Sequence, residues 1–548
     1  MESKASKWLD PALMLLVGFI TFGLCFLFAV RGVDPHHDGW MLKTAVDVSR
    51  GLTLFSQTYT QYGSLYVYLL ALGVRLFGET IVAIQAMTCL AYAACGMLLY
   101  AIVRRFAGRL VAVCCPLTAI GLAAFYFWNF HPWSSVFVLM FSLAACLCLI
   151  RFTETVSNGS IALCGVFTAC MVWCRQPAIV GMFVVLLFLL GLRLTGFGGG
   201  KKLGRALVWF LAGNLLVHAV LFGVIFLQGS FGDWWIQSIR NAFTFATEPT
   251  AETAAAQPDR LVDFFLIGVN QNPRYDWIWR VLTYGTLLYL LVLVVLAFRR
   301  KKQGGADAPL YGKIAFAAMA LSGWSYYFPT LCYRHMIWAD YPMVGVLGTA
   351  LFSGLSLLFS KCGKSAGTAA GRRRALLSVL TCVIVVGLCA SNLLVRARIG
   401  KSRLLGGGNG ANFHLTEYAE DDTVHRYMRS DYGYLNGLYL SERETRFYDG
   451  LFDAVAAAQA AFPDKNIVNT TPNALFSVFT SDNVHPGAFD VKSDGYPEQT
   501  QLVQTYIETQ RPILITTTLY EGYTVAAYLT DYNGDAFRYQ PVYVLIPA

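Results

Sequence analysis

The chain has 548 residues, of which 56% are hydrophobic and 14% are charged, and its formal net charge is +9. A soluble globular domain carries about 25% charged residues, so this composition excludes a purely soluble protein and indicates a membrane protein. The charge is unevenly divided: residues 1–403 contain 34 basic and 15 acidic residues, whereas residues 404–548 contain 8 basic and 18 acidic residues. We therefore expect two parts in different surroundings, with membrane lipid rather than nucleic acid around the first.

Eleven apolar segments predict membrane-spanning helices, because a hydrocarbon core about 30 Å thick takes roughly 17 to 25 helical residues. They lie near 11–30, 81–103, 110–127, 133–150, 160–174, 178–194, 206–228, 281–298, 313–330, 338–360 and 375–396. The first is too long for a removable signal peptide and lacks a small-residue cleavage site, so we expect it to remain as an anchor. Segment 64–77 is apolar but short. We expect it to lie in the interface, and a twelfth span is the alternative.

Basic residues cluster in alternate loops between these segments. The clusters are Lys4 and Lys7; Arg104, Arg105 and Arg109; Arg193, Lys201, Lys202 and Arg205; Arg299 to Lys302; and Lys361, Lys364 and Arg372 to Arg374. Lysine and arginine near the ends of spans prefer the cytoplasmic side. The pattern predicts a multi-pass protein of the cell membrane with a cytoplasmic N-terminus and an extracytoplasmic C-terminal segment.

The first predicted outer loop begins with four polar residues directly after the first apolar segment. In the stretch "RGVDPHHDGWMLKTAVDVSRG" they are Asp34, His36, His37 and Asp38. An amphipathic helix follows, with Trp40, Met41, Ala45 and Val48 on one face and Lys43, Asp47 and Arg50 off that face. Such a helix is expected to lie in the membrane interface.

Asp38 has two interpretations. Aspartate at the head of a helix is a favoured N-cap, which alone would explain it. A carboxylate at the outer boundary is also placed to take a proton from a hydroxyl that approaches from outside. Asp34 fits ordinary turn chemistry in "VDP". His36 and His37 could join carboxylates on a divalent metal, but four adjacent polar residues do not indicate one, so no cofactor or metal is assigned.

Two further polar motifs lie at predicted outer ends of spans. "WCRQP" places Arg175 and Gln176 after the fifth span, and "YRHMIWADYP" places Arg334 and His335 between the ninth and tenth spans. Snorkelling or interfacial anchoring is the structural explanation for such residues. The positive-inside bias makes an outer arginine less expected, and a fixed guanidinium can bind phosphate bidentately. Phosphate binding is therefore the functional alternative.

The C-terminal segment 404–548 opens with the glycine-rich "LLGGGNGANF". A helical "YDGLFDAVAAAQAAF" and strand-like "NIVNTTP", "PILITTT" and "VYVLIPA" follow, and their alternation predicts an α/β domain of about 140 residues. All fourteen cysteines lie at or before Cys389, so this domain has no disulfide framework, which favours a bacterial envelope. The segment contains no phosphate-loop, dinucleotide or nucleophile-elbow motif, so we do not expect it to catalyse a reaction alone.

The order "HHDGW", then "SRGLTLFSQTYTQYGSLYVYLLALGVRLFGET", then a span ending "YAIVRRFAG", resembles the first loop and following helices of the C-type (GT-C) membrane glycosyltransferases. It is most similar to the branch that contains protein O-mannosyltransferases and aminoarabinose lipid A transferases. "CRQP" resembles the family's basic residue after the fifth span, and "YRHMIWADYP" resembles its late basic and aromatic loop. The family's usual acidic pair in the first loop is Asp-Glu, whereas here Asp38 is followed by Gly39. The similarity in topology covers about residues 1–400.

The resemblance implies a mostly α fold of the GT-C type. This would be a polytopic bundle of about eleven transmembrane helices, with interfacial helices in the first outer loop and a C-terminal extracytoplasmic α/β domain. It also implies a hexosyl or pentosyl transferase that moves a sugar from a polyprenyl-phosphate donor, with inversion, to a hydroxyl of an envelope glycan, lipid or protein on the outer face. No nucleotide is needed.

The same resemblance implies roles for the polar residues. Asp38 would act as the base, and Arg175, Arg334 and His335 would hold the donor phosphate. Further candidates for substrate binding are Asp34, His37, Gln176 and Tyr62.

Two other classes of function remain as alternatives. A transporter or flippase of lipid-linked sugars would use the polar loops as a gate, although transporters tend to place charged binding groups near mid-membrane, and here these groups lie outside. A non-catalytic envelope scaffold is the third interpretation.

Overall fold

The fold is given by a computed structural model. It describes residues 4–33, 37–60, 62–124, 132–241, 273–303, 307–327, 333–360, 368–405, 423–471, 474–479, 497–530 and 541–548. Helices dominate these residues, and strands occur only in the described ranges after residue 423.

The described residues between 4 and 405 form a helical bundle. Its helices are α1 (Lys4–Ala29), α2 (His37–Ser49), α3 (Ser64–Phe77), α4 (Ile81–Phe106), α5 (Arg109–Ala124), α6 (Ser134–Thr155), α7 (Asn158–Cys174), α8 (Ile179–Thr195), α9 (Gly200–Leu227), the short α10 (Phe231–Trp234), α11 (Pro273–Lys302), α12 (Ala308–Ser322), α13 (Tyr333–Ser360) and α14 (Thr368–Leu405). A π-helical turn, Trp235–Arg240, continues α10.

Each of the eleven predicted spans coincides with one helix of this bundle: α1, α4 to α9 and α11 to α14. Among the described residues, eight helices are long and apolar enough to cross a membrane. These are α1, α4, α6, α8, α9, α11, α13 and α14. Large apolar side chains such as Leu215, Leu227 and Leu288 are exposed on them, as expected where lipid covers a helix. The chain is a multi-pass membrane protein with a mostly α fold.

Helix α3 has the bounds of the short apolar segment, Ser64–Phe77. Its 14 residues correspond to a length of about 21 Å, which is shorter than a hydrocarbon core of about 30 Å. Its far end is fixed to the end of α2, because Arg75 donates to the Ser49 carbonyl oxygen at 3.0 Å and Arg50 pairs with Glu79 at 2.6 Å. The two helices therefore form one folded loop unit.

On the predicted polar face of α2, Arg50 is exposed, but Lys43 and Asp47 are not, and for these two residues the expectation is wrong. Residues Asp38 to Asp47 are all buried. Lys43 Nζ lies 2.6 Å from Asp47 Oδ1, with side-chain exposures of 5% and 2%. The 3-10 helix Ala474–Phe479, far along the chain, packs on α2. Because this cover comes from far along the chain, no local sequence pattern reveals it.

The described residues after 423 form two small sheets and two helices. The strands are β1 (Val424–Arg426), β2 (Tyr439–Ser441), β3 (Ile467–Asn469), β4 (Ile513–Thr516), β5 (Tyr523–Leu529) and β6 (Val542–Pro547), and the helices are α15 (Glu442–Ala461) and α16 (Pro497–Gln510). The larger sheet has the order β3-β4-β6-β5, with β3 and β4 parallel and the other neighbours antiparallel. Ser441 and Glu444 begin α15 with a reciprocal capping box.

Backbone hydrogen bonds join this region to the loop that leads to α2. Gly32 N donates to the Tyr439 carbonyl oxygen at 2.9 Å, and Tyr439 N donates to the Val30 carbonyl oxygen at 2.7 Å. The Arg31 guanidinium lies 4.9 Å above the Tyr439 ring. The C-terminal region therefore holds the start of the first loop in place and also covers α2.

Candidate functional site

Asp38 lies in the first turn of α2, and it is fully buried. Aromatic rings surround this turn. The His37 ring centroid lies 4.8 Å from that of Trp133, which precedes α6, and the Trp40 ring centroid lies 5.5 Å from that of Tyr62, which precedes α3. The beginning of α2 is thus held between the beginnings of α6 and α3.

Helix α13 adds Trp338 to these rings, and His37, Trp40, Tyr62, Trp133 and Trp338 together form an aromatic wall. The Trp338 ring centroid lies 5.8 Å from that of Trp133, and Trp338 Nε1 donates to the Tyr92 hydroxyl at 2.9 Å. Trp338 is 1% exposed and Tyr92 is fully buried. The wall therefore connects α2, α4, α6 and α13, and it fixes the turn that carries Asp38.

Arg175 follows α7 at the same end of the bundle and is half-buried. Its guanidinium donates a hydrogen bond to Ser135 Oγ in the first turn of α6, and it lies 5.7 Å above the Tyr62 ring. In the part of the chain that the structure describes, Arg175 contacts no carboxylate. A half-buried cation without a carboxylate partner is a candidate for binding an anion.

Close packing of Gly63 determines where Arg175 lies. Gly63 N donates to the Cys174 carbonyl oxygen at 3.2 Å. A Cβ atom on Gly63 would lie 1.9 Å from the Trp173 carbonyl oxygen, so only glycine permits this contact. The beginning of α3 therefore touches the end of α7, directly beside Arg175.

Gln176 joins the site to the loop after α9. Its Nε2 atom donates to the Ser238 carbonyl oxygen at 3.0 Å. The neighbouring Gln237 is buried, donates to the Phe55 carbonyl oxygen at 2.6 Å and accepts from Thr60 N at 3.2 Å. The side-chain amides of these two glutamines thus fasten the π-helical turn to the first loop and to the end of α7.

The structure brings Asp38, His37, Tyr62, Arg175 and Gln176 to one end of the bundle. Two further predicted residues, Arg334 and His335, lie in the first turn of α13, one turn before Trp338. Only their backbone is described, and that backbone is beside the aromatic wall. Asp34 and the neighbouring His36 lie outside the described residues.

Several residues of this site are not predicted by the sequence analysis. Trp133 and Trp338 read as ordinary interfacial aromatics, and Ser135 reads as the beginning of an apolar helix. The pair Ser134 and Ser135 directly after Trp133 in "HPWSSVFV" is the signal that could have revealed a polar helix end. Asp340, by contrast, belongs to the predicted motif "YRHMIWADYP"; it is fully buried in α13 and accepts a hydrogen bond from Thr283 Oγ1 at 3.1 Å.

The first loop contains histidine and aspartate side chains, which are common metal ligands. Within the described ranges, no group of three or more histidine, cysteine, aspartate or glutamate side chains is arranged to hold a metal ion. The loop residues Asp34 and His36 fall outside those ranges.

The sequence profile of the dolichyl-phosphate-mannose-protein mannosyltransferase family matches residues 63–196. This region runs from Gly63 through α8 and includes Arg175 and Gln176. No curated protein sequence matches the chain.

The fold is similar to those of solved membrane glycosyltransferases. ArnT from Cupriavidus metallidurans bound to undecaprenyl phosphate superposes with a TM-score of 0.53 at 13% identity, and the match covers 99% of this chain and 98% of ArnT. The same protein in the apo state gives 0.51 at 14% identity, with the same coverage.

A third solved structure is the archaeal oligosaccharyltransferase AglB from Archaeoglobus fulgidus in complex with an inhibitory peptide and a dolichol-phosphate. It gives a TM-score of 0.50 at 10% identity, covering 94% of this chain and 70% of AglB. The chain therefore has the GT-C fold, and it resembles the branch of that superfamily with protein O-mannosyltransferases and aminoarabinose lipid A transferases.

Proposed function

We propose that the protein is a glycosyltransferase that moves a hexosyl or pentosyl group from a polyprenyl-phosphate donor to an acceptor hydroxyl on the outer face of the membrane. The observation that carries this proposal is Arg175, a half-buried cation that contacts Ser135 and Tyr62 and no described carboxylate. The GT-C fold supports it, because ArnT binds undecaprenyl phosphate and AglB binds dolichol-phosphate.

Asp38 is proposed as the general base. Asp38 is fully buried, and the rings of its neighbours His37 and Trp40 pack against Trp133 and Tyr62, which limits the movement of this turn. The acceptor oxygen forms a bond to the anomeric carbon while its proton passes to Asp38. The bond from the anomeric carbon to the phosphate oxygen breaks with its electron pair, and in-line displacement inverts the anomeric configuration.

Arg175, Arg334 and His335 are proposed to hold the donor phosphate. Charge on the phosphate grows as the leaving group departs, so fixed cations stabilise the transition state more than the ground state. The backbone of Arg334 and His335 lies one turn before Trp338, whose ring packs against that of Trp133. His37, Tyr62, Gln176 and the loop residue Asp34 are proposed substrate contacts.

We propose that residues 1–403 form the domain that transfers the sugar and that residues 404–548 form an extracytoplasmic domain. The C-terminal region contains an open surface groove of about 420 Å³ lined mostly by polar and charged residues, among them Arg426, Asp431, Thr445 and Asp449. Such a mixed polar lining supports recognition of an acceptor glycan, lipid or protein. The basic clusters support a cytoplasmic N-terminus and an extracytoplasmic position for this region.

The experiment is a transfer assay with purified protein in lipid vesicles. Radiolabelled undecaprenyl-phosphate sugars are supplied with envelope extracts from a strain that lacks the gene, and products are identified by mass spectrometry. We expect sugar transfer together with release of undecaprenyl phosphate. Movement of the lipid-linked sugar between leaflets without its cleavage would support a flippase, and neither activity with any donor would support a scaffold.

A further inference from the structure

Two helices begin beside Arg175. Helix α3 begins at Ser64 and α6 begins at Ser134, and their first turns touch, since the Tyr66 and Phe137 ring centroids lie 6.0 Å apart. The residues before them, Gly63 and Trp133, provide no side-chain capping hydrogen bond. The N-terminus of a helix carries a partial positive charge and N–H groups that favour anions. Two such ends therefore lie next to one guanidinium.

The first residue of each helix adds a second, independent observation. Ser64 and Ser134 are fully buried, and the Oγ atom of each has no hydrogen-bond partner among the described residues. Buried hydroxyl groups in folded proteins are nearly always paired, so such a group requires an explanation. As the first residue of its helix, each serine carries its hydroxyl at the uncapped end.

Arg175 is oriented towards these helix ends. The carboxyl end of α7 would otherwise attract the guanidinium, but Gly63 N donates to the Cys174 carbonyl oxygen there. The guanidinium instead donates to Ser135 Oγ, next to Ser134. Arg175 and Tyr62 are both partly exposed, so this face can be reached by a ligand.

We infer that Ser64 and Ser134, with the N-termini of α3 and α6 and with Arg175, bind the phosphoryl group of the lipid-linked donor. This inference rests on the proposed function. Each hydroxyl donates to a phosphate oxygen, and the two helix ends stabilise the additional negative charge that remains on the phosphate after the sugar leaves. The serines position the leaving group and exchange no proton with the sugar.

The test compares Ser64→Ala and Ser134→Ala in the full-length protein in detergent. Binding of undecaprenyl phosphate is titrated, with the neutral undecaprenol and inorganic phosphate as separate arms, and thermal unfolding is measured without ligand. We expect each substitution to weaken undecaprenyl phosphate binding roughly tenfold, as for a lost hydrogen bond to a charged group, and to leave undecaprenol binding unchanged. Thermal stability should be equal or higher, because an unpaired buried hydroxyl is removed.

The control is Ser391→Ala, which removes another buried hydroxyl without a described partner, on α14, which packs on α5 and α13. It should change neither binding nor transfer. Unchanged undecaprenyl phosphate affinity in both serine variants, in a parent that transfers sugar, would overturn this inference and leave the proposed function intact. Equal loss of undecaprenol binding would assign the serines to the lipid chain and also overturn it.

Two further outcomes of the binding experiment distinguish the proposed phosphate site from the proposed transferase activity. Serine-dependent binding of inorganic phosphate, as tight as that of undecaprenyl phosphate, would identify free phosphate as the ligand and overturn the assignment to the donor. Serine-dependent binding of undecaprenyl phosphate in a parent without transferase activity would support the phosphate site and contradict the proposed function.

Discussion

Gly63 lies so close to Trp173 that a Cβ atom would approach the Trp173 carbonyl oxygen to 1.9 Å. Because the other atom of this contact belongs to the backbone, a side-chain rotation cannot relieve a clash there. The contact sets the position of Tyr62, which precedes Gly63, relative to Arg175, which follows Cys174.

Replacement of Gly63 by alanine should therefore damage both the site and the fold. We expect Gly63→Ala to lower the free energy of unfolding by about 1–3 kcal/mol, as for other overpacked sites, and to reduce transfer by more than tenfold. Thermal unfolding and the vesicle assay measure the two effects. The matched control is Gly223→Ala on α9, where a Cβ atom meets nothing within 4 Å. Equal behaviour of the two variants would show that the approach of α3 to α7 does not matter.

Substitution of Asp38 by asparagine separates a structural role from base catalysis. The expected N-cap role is wrong, because α2 begins at His37 and Asp38 is its second residue. Asparagine has nearly the same shape as aspartate but does not accept the acceptor's proton, so Asp38→Asn should keep its thermal stability and lose about 10²–10⁴-fold in turnover. Asp464→Asn, at an exposed turn of the C-terminal region, is the control and should retain full turnover. Near-normal turnover by Asp38→Asn would remove Asp38 as the base.

Substitutions of Arg175 distinguish a role in phosphate binding from snorkelling at the membrane boundary. A snorkelling arginine can be replaced by lysine with little effect, whereas a guanidinium that contacts two phosphate oxygens loses its fork. We expect Arg175→Lys to weaken undecaprenyl phosphate binding and turnover substantially, and Arg175→Ala to weaken both further. Arg193→Lys, exposed near the end of α8, should behave like the parent. If both Arg175 variants bind and turn over normally, Arg175 is an anchor, and Arg334 becomes the better phosphate candidate.

The buried pair Lys43 and Asp47 should determine how firmly α2 is held. Removal of one partner leaves an uncompensated charge in a buried place, so Asp47→Asn is expected to cost about 3–5 kcal/mol of unfolding free energy. The double substitution Lys43→Met with Asp47→Leu should be less destabilising than the sum of its single changes. Additive effects in this cycle, measured by denaturant unfolding, would contradict a direct coupling between the two side chains.

Local patterns predict the elements well where a helix is long or strongly apolar. All eleven predicted spans contain a helix, and α3 begins and ends at the predicted residues. The sequence does not predict the burial of Lys43 and Asp47, because the covering residues Ala474–Phe479 come from the other part of the chain. Strand β5 was also missed, since "YTVAAYL" is interrupted by alanines that weaken its strand pattern.

In the candidate site, too, local patterns predict some residues, whereas others depend on contacts between distant parts of the chain. Asp38 and Arg175 are unusual for their positions in the sequence, so charge patterning is enough to select them. Ser135 is an ordinary helix residue until the structure places it against Arg175. Likewise, the role of Gly63 depends on its contact with Trp173 in α7, and the four helices α3 to α6 separate these two residues in the sequence.

If the protein cleaves a polyprenyl-phosphate sugar and transfers the sugar with inversion, the linkage in the product is opposite to that in the donor. Purified protein in vesicles is incubated with a β-linked undecaprenyl-phosphate sugar and acceptor extract, and the anomeric configuration of the product is determined by NMR spectroscopy. We expect an α-linked product formed together with one undecaprenyl phosphate per sugar transferred. A β-linked product, or an intact donor after long incubation with active folded protein, would contradict it.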